Sequence, residues 1–167
     1  MSKRAVNLLR NMAVPMKRDG TNPNYGFNKV ISVTAARTLT AAESGAIIHW
    51  THSSAHNITL PAAVVGLNFE FVLLAGAAAN HHILSQSADK IFGKVIVNST
   101  ADDDSAVQVV LKGSAVDKVF MHKTGATSGG DAGDTVKLIC CEAGYWVCNA
   151  NLISTNANPS SIATLTD

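Results

Sequence analysis

At 167 residues, with 47% apolar and 15% charged side chains, the chain has room for one globular domain with tails, and its surface must be largely uncharged Asn, Ser, Thr and Gly. A formal net charge of +1 argues against a dedicated nucleic-acid binder, because such proteins concentrate positive charge to displace counterions from phosphates. No run is long enough to cross a bilayer, and the stretch from Ala5 to Val14, broken by Asn7, Arg10 and Asn11, lacks the continuous apolar core of a secretory signal.

Residues 1–28 read as an extended basic arm. Five of the 13 basic residues (Lys3, Arg4, Arg10, Lys17 and Arg18) fall in the first 18 positions, and no acidic residue precedes Asp19. Pro15, Pro23 and the turn-rich segment from Asp19 to Gly26 oppose regular structure. A helix over 5–12 would align Val6, Leu9 and Met12, but a segment that short is marginal alone. The bland reading is a solvated terminus. The functional reading is a clamp, in which Lys3, Arg4, Arg10, Lys17 and Arg18 meet acidic patches on a partner while Val6, Leu8, Leu9, Met12 and Met16 enter grooves. Extended, about 20 residues reach on the order of 60 Å. Docking costs ordering entropy, so many small contacts must offset it.

From Lys29 the hydrophobic pattern takes period two. Strands are expected near 29–34, 46–50, 57–60, 67–74, 81–85, 91–97, 106–111, 116–122, 135–141 and 145–150, with Gly, Pro, Asn, Asp and Ser between them. Leu67, Phe69, Phe71 and Leu73 alternate with Asn68, Glu70 and Val72, which gives a core face and a wetter face. The one helix-like rival, Ala41-Ala42-Glu43, is a single turn. Short strands at this spacing predict an all-β domain over 29–150, an antiparallel β-sandwich or jelly-roll-like body.

The last hairpin, from Gly133 to Ala150, is the most distinctive segment. With Glu142-Ala143-Gly144 as the turn, Cys141 would face Tyr145, Cys140 would face Trp146 and Leu138 would face Cys148. One face then carries Val136, Leu138, Cys140, Trp146 and Cys148, and the other carries Ile139, Cys141, Tyr145 and Val147. Both are apolar. Either the chain covers this hairpin from both sides, or copies associate here, with Trp146, Tyr145 and Val147 as the self-association residues. The three cysteines read as reduced small hydrophobes, in keeping with folding in a cytoplasm. Residues 151–167 read as a polar C-terminal tail with Leu152, Ile153, Ile162 and Leu165 as its large apolar anchors.

Candidate chemistry is sparse. His49, His52 and His56 form one cluster and His81-His82 another, but strand alternation sends His49 and His52, and likewise His81 and His82, to opposite faces. Asp102-Asp103-Asp104 lacks the glycine and distal glutamate of a calcium loop and reads as a solvated tip. There is no Gly-x-Ser-x-Gly elbow, and the glycine-rich run over 125–133 lacks the Lys-Ser/Thr ending of a phosphate loop. The reading is therefore not an enzyme, with no catalytic residue, metal or cofactor assigned. A third possibility, an intracellular sugar-binding or metal-binding cupin-like enzyme, rests only on an all-β fold and some histidines, an analogy at the level of fold.

Two phrases carry a resemblance. Ile58-Thr59-Leu60-Pro61-Ala62-Ala63, followed by Gly66-Leu67-Asn68-Phe69-Glu70-Phe71, resembles a segment of tailed-bacteriophage virion proteins. So does Gly133-Asp134-Thr135-Val136-Lys137-Leu138 with Tyr145-Trp146-Val147, and Lys90-Ile91-Phe92-Gly93 sits where those proteins have a strand leading into a loop. The resemblance covers about residues 33–152 and extends to capsid decoration (cement) proteins and to fibre and spike heads. It implies a trimeric adhesive β-module. A short basic arm in place of a fibrous shaft favours the cement protein: a homotrimer on the outer capsid surface, bound to the major capsid protein through Lys3, Arg4, Leu8, Leu9, Arg10, Met12, Lys17 and Arg18, with no nucleic-acid or membrane partner. The alternative is a host-recognition head that binds glycans through Trp50 and Tyr25 and the loops 52–57, 99–105 and 123–133.

Overall fold

The computed structural model describes residues 28–51, 54–74, 80–86, 88–99, 106–116, 118–121, 129, 131–154 and 165–166. For 106–116, 120–121 and 165–166 it describes the backbone alone. The clamp residues of the arm, Tyr25, His52 and Asp102 to Asp104 lie outside the described residues.

The chain is all-β. Its strands are β1 (Val30–Val33), β2 (Arg37–Thr38), β3 (Ile47–Trp50), β4 (His56–Thr59), β5 (Asn68–Leu73), β6 (His81–Leu84), β7 (Lys90–Ser99), β8 (Ala106–Val116), β9 (Lys118–Met121), β10 (Thr135–Glu142), β11 (Tyr145–Ser154) and β12 (Leu165–Thr166). A 3-10 turn occupies Ala41–Glu43. All ten expected strands have a counterpart, and β2 and β12, two residues each, are additional. Strand β11 continues to Ser154, four residues into the segment read as tail, because Leu152 and Ser154 face the interior.

The strands form two sheets. One has seven strands in the order β1-β3-β5-β10-β11-β7-β8, and the other has five in the order β12-β9-β6-β4-β2. The expectation of antiparallel pairing throughout is corrected: both sheets are mixed. β1, β3 and β5 run parallel in the first, and β2, β4 and β6 run parallel in the second. The reason lies in the connections. From β1 to β6 the chain alternates between the sheets, so each return to a sheet travels in the same direction as the last. The result is three stacked passes that wind around one interior. The hairpin β10–β11 then closes the seven-stranded sheet, antiparallel to β5 on one side and parallel to β7 on the other.

Both sheets contribute to a single hydrophobic cluster, in the manner of a sandwich. Its rows follow the register. Val33, Trp50 and Leu73 stack side by side, and Ile31, Ile48, Phe71, Val136, Ala150 and Val95 form the next row. Across the interior, Ile58, Ile83 and Val119 line the five-stranded sheet. These side chains are buried, and each large one contributes about 1.5–3 kcal/mol of transfer free energy. The His81 ring lies flat on the Trp50 indole, with centroids 4.5 Å apart and planes within 3°, which joins the two sheets.

The loop from β4 to β5 explains its own sequence. Leu60, Pro61 and Ala63 are buried. The Ala63 amide donates to Asp89 Oδ2 at 2.7 Å, and the Gly144 amide donates to the Ala63 carbonyl at 3.2 Å. Gly66, at φ 96°, lets the chain turn so that its amide reaches the Cys140 carbonyl at 2.9 Å. The loop is thereby fastened to the tip of the last hairpin.

Candidate functional site

The hairpin tip departs from the expected register. Glu142 pairs with Tyr145 across a two-residue turn, Ala143-Gly144, and Ile139 pairs with Val147. Cys140 and Cys141 therefore oppose Trp146 alone, as a β-bulge. The expected facing of Cys141 with Tyr145 is corrected, while Cys140 shares its place opposite Trp146 with Cys141, and Leu138 does face Cys148. The bulge forms because the Cys140 backbone is used by the incoming loop: its amide donates to the Leu67 carbonyl at 2.8 Å, and its carbonyl accepts from Gly66. The extra residue keeps Cys140 inward and leaves Cys141 exposed.

The inner face of the hairpin is core. Trp146 is fully buried, with its ring tilted against Phe69 at a centroid distance of 6.0 Å. That corrects its expected place among the self-association residues: an indole packed in the hydrophobic interior does not meet another chain. Burial pushes the Cys148 thiol up to about 12. Burial also raises Cys140, and the neighbouring Asp89 and Cys141 add to the shift; its Sγ donates to the Glu142 carbonyl at 3.1 Å. Burial thus disfavours the thiolate at both positions.

The outer face is different. Tyr145 and Val147 lie on it, as the strand alternation expects, and so does Ile139. The register adds Phe92 of β7 directly beside Val147, and the Phe92 and Tyr145 rings meet edge to face at 6.2 Å. Tyr145 is 44% exposed and Ile139 48%. The bonds from Gly66 and Gly144 bring the loop residues Val64 and Val65 to the same end, at 57% and 62% exposure. Thus four of the six large apolar residues most exposed among the described residues gather around one hairpin tip.

Charges frame this patch. Glu142, Tyr145 and Lys90 stand in one row across β10, β11 and β7, so an acid lies on one flank of the tyrosine and a base on the other. In the row beyond Ile139 and Val147 the surface turns polar, with Glu70, Lys137, Asn149 and Lys94. Lys137 Nζ and Glu70 Oε1 pair there at 3.2 Å. The arrangement offers a surface for contact, with no nucleophile–base pair assembled at it.

Sequence reading identified Ile139, Tyr145 and Val147 from the alternation of the hairpin, and missed Phe92, Val64 and Val65. The alternation Lys90-Ile91-Phe92 already placed Phe92 opposite the buried Ile91. For the valines no local signal exists, because their position depends on two backbone bonds between distant segments. The glycan platform expected at Trp50 is corrected, since that indole is buried beneath His81. The other histidines are dispersed: His49 lies on the outer side of β3, and His82 Nδ1 is 2.9 Å from Asn57 Oδ1. Among the described residues no group of three or more His, Cys, Asp or Glu side chains is placed to hold a metal ion. No family model, no curated protein and no solved structure matches the chain.

Proposed function

We propose that this chain is a virion structural protein of a tailed bacteriophage: a capsid decoration protein that binds the outer surface of the head and stabilises contacts between major capsid proteins. The observation that carries the reading is the framed apolar patch at the hairpin tip, where Ile139, Tyr145, Val147 and Phe92 lie beside charged and polar side chains. The two sequence phrases that resemble phage virion proteins support it. Their residues build this tip, since Ala63 and Gly66 fasten the loop and Tyr145 and Val147 lie on its outer face.

In this reading the protein is a homotrimer that folds in the host cytoplasm and then joins the virion. Each copy presents an arm whose Lys3, Arg4, Arg10, Lys17 and Arg18 pair with acidic groups on the major capsid protein, while Leu8, Leu9 and Met12 fill grooves. Three arms of modest affinity acting together give avidity well beyond one. The test is the number of copies of this chain in purified virions of the phage that encodes it. Many copies per particle, on the outside of the head, are expected. A few copies at the tail would assign it instead to a host-recognition head, and none would overturn both.

A further inference from the structure

We propose that the apolar patch around Tyr145 is a docking site for the chain's own N-terminal segment, with Val6, Leu8, Leu9 and Met12 lying over it while the protein is free of partners. The inference goes beyond the capsid reading and does not rest on it.

The first ground is where that segment joins the sheet. The described residues begin at Asn28, two positions before Val30. Val30 stands in one row with Ile47, Glu70 and Lys137, and its exposed side chain is on the outer face. Two positions nearer the hairpin tip, Asn68, Ile139, Val147 and Phe92 form the next outer row. The chain therefore enters β1 at the end of the sheet where the patch lies, and by alternation Asn28 is on the same face. Four strand spacings, about 19 Å, separate β1 from β11. Met12 lies 16 residues before Asn28, a reach on the order of 50 Å, so the segment can span the gap with slack. The way across is low: Gly45, whose amide donates to the Asn68 carbonyl at 2.8 Å, has no side chain and open space where a Cβ would stand.

The second ground is chemical fit. The Glu142 carboxylate stands beside Tyr145, and no cation pairs with it among the described residues, whereas Lys90 on the other flank already interacts within its own chain. An occupant that fits is apolar and positively charged. The N-terminal segment is both: its apolar side chains from Val6 to Met12 alternate with Arg4 and Arg10, and no acid precedes Asp19. The tether makes docking intramolecular, so modest contacts suffice. The same side chains cannot hold the patch and a partner at once. The contact is therefore autoinhibitory, and a partner that takes the segment uncovers the patch.

The test is photo-crosslinking in the full-length chain, with p-benzoylphenylalanine in place of Tyr145. The expected product keeps the mass of one chain, 17.4 kDa, and peptide mapping joins position 145 to residues 5–16. The same reagent in place of Asn57, exposed on the other sheet, should not reach that segment. Leu8→Asp/Leu9→Asp should lower the yield from position 145 by about tenfold or more, because it removes two apolar contacts and adds like charge beside Glu142. It should also raise the emission of a dye that binds exposed apolar surface severalfold, with the circular dichroism spectrum unchanged. Glu142→Gln should lower the yield by a smaller factor. Products that join two chains would assign the patch to a second copy and overturn the proposal. Crosslinks confined to other segments, an equal yield from position 57, or dye emission unchanged by Leu8→Asp/Leu9→Asp would overturn it as well.

Discussion

At the scale of single residues, two positions explain motifs that the sequence displays without their reasons. Gly93 has φ 139°, and a Cβ built on it would lie 2.0 Å from the Cys148 carbonyl oxygen, with the Cys148 amide nitrogen at 2.7 Å. β7 and β11 approach here so closely that only hydrogen fits. Gly93→Ala should therefore cost at least about 3 kcal/mol from strain and overpacking, read as a lower midpoint in urea. Asp134, fully buried, accepts from the Ile153 amide at 2.7 Å and the Asp131 amide at 3.3 Å. Its own carbonyl accepts from Leu73, and the preceding Gly133, at φ 103°, donates to the Leu73 carbonyl. The Gly-Asp pair thus ties the end of β5 to the start of β10 and to β11. Asp134→Ala leaves two donors without this acceptor and should cost about 3 kcal/mol in the same assay, while an exposed control such as Asn149→Ala should change little. The sequence marked both motifs by their letters alone. Their causes are contacts between residues far apart in the chain.

At the scale of elements, the strands were legible and their partners were not. Alternation of apolar and polar residues located all ten of the longer strands, since a strand with one buried face must show period two. The parallel stack of β1, β3 and β5 left no comparable mark. Stacked positions are 17 residues apart from Val30 to Ile47 and 23 apart from Ile47 to Glu70, so the winding has no fixed period to detect. The gap expected over 112–115, between strands near 106–111 and 116–122, is a distortion within β8: Ile91 pairs with Val116 and Gly93 with Leu111, so the chain bulges without leaving the sheet. The 3-10 turn that follows β2 supplies a pH signature. Burial opposes ionisation of Glu43, but the Thr40 amide at 2.8 Å, the Arg37 guanidinium and the Thr40 hydroxyl outweigh it and hold the carboxyl below its ordinary value of 4.5. A carboxyl lowered in the folded state stabilises above its unfolded value and loses that contribution as the pH falls through the folded value. Glu43→Gln should lower stability at neutral pH and flatten the loss on acidification below about pH 4.5, as measured by thermal melting across that range. An unchanged acid limb would show that the Arg37–Glu43 pair does not contribute.

At the scale of the whole molecule, the described residues form two sheets, with an exposed apolar patch at the tip of the last hairpin. The interior holds Trp50, Phe69, Phe71 and Trp146, and the outer face of the hairpin tip gathers Ile139, Tyr145, Val147 and Phe92. This division was half visible in the sequence. Two apolar faces on one hairpin left open whether the chain or another copy covers the outer one, and the bulge at Cys140 and Cys141, with the loop bonded to it, brings Val64 and Val65 to the same end. The proposed capsid contact belongs to the basic N-terminal segment, where charge and apolar residues alternate before the first strand. The most direct test is co-sedimentation of the purified chain with expanded heads of the phage that encodes it, comparing the full length with a chain lacking residues 1–20. The full chain is expected to saturate the heads, while the shortened chain keeps its β-sheet spectrum and stays in the supernatant. A shortened chain that saturates the heads equally well, or a full chain that never sediments with them, would contradict that expectation.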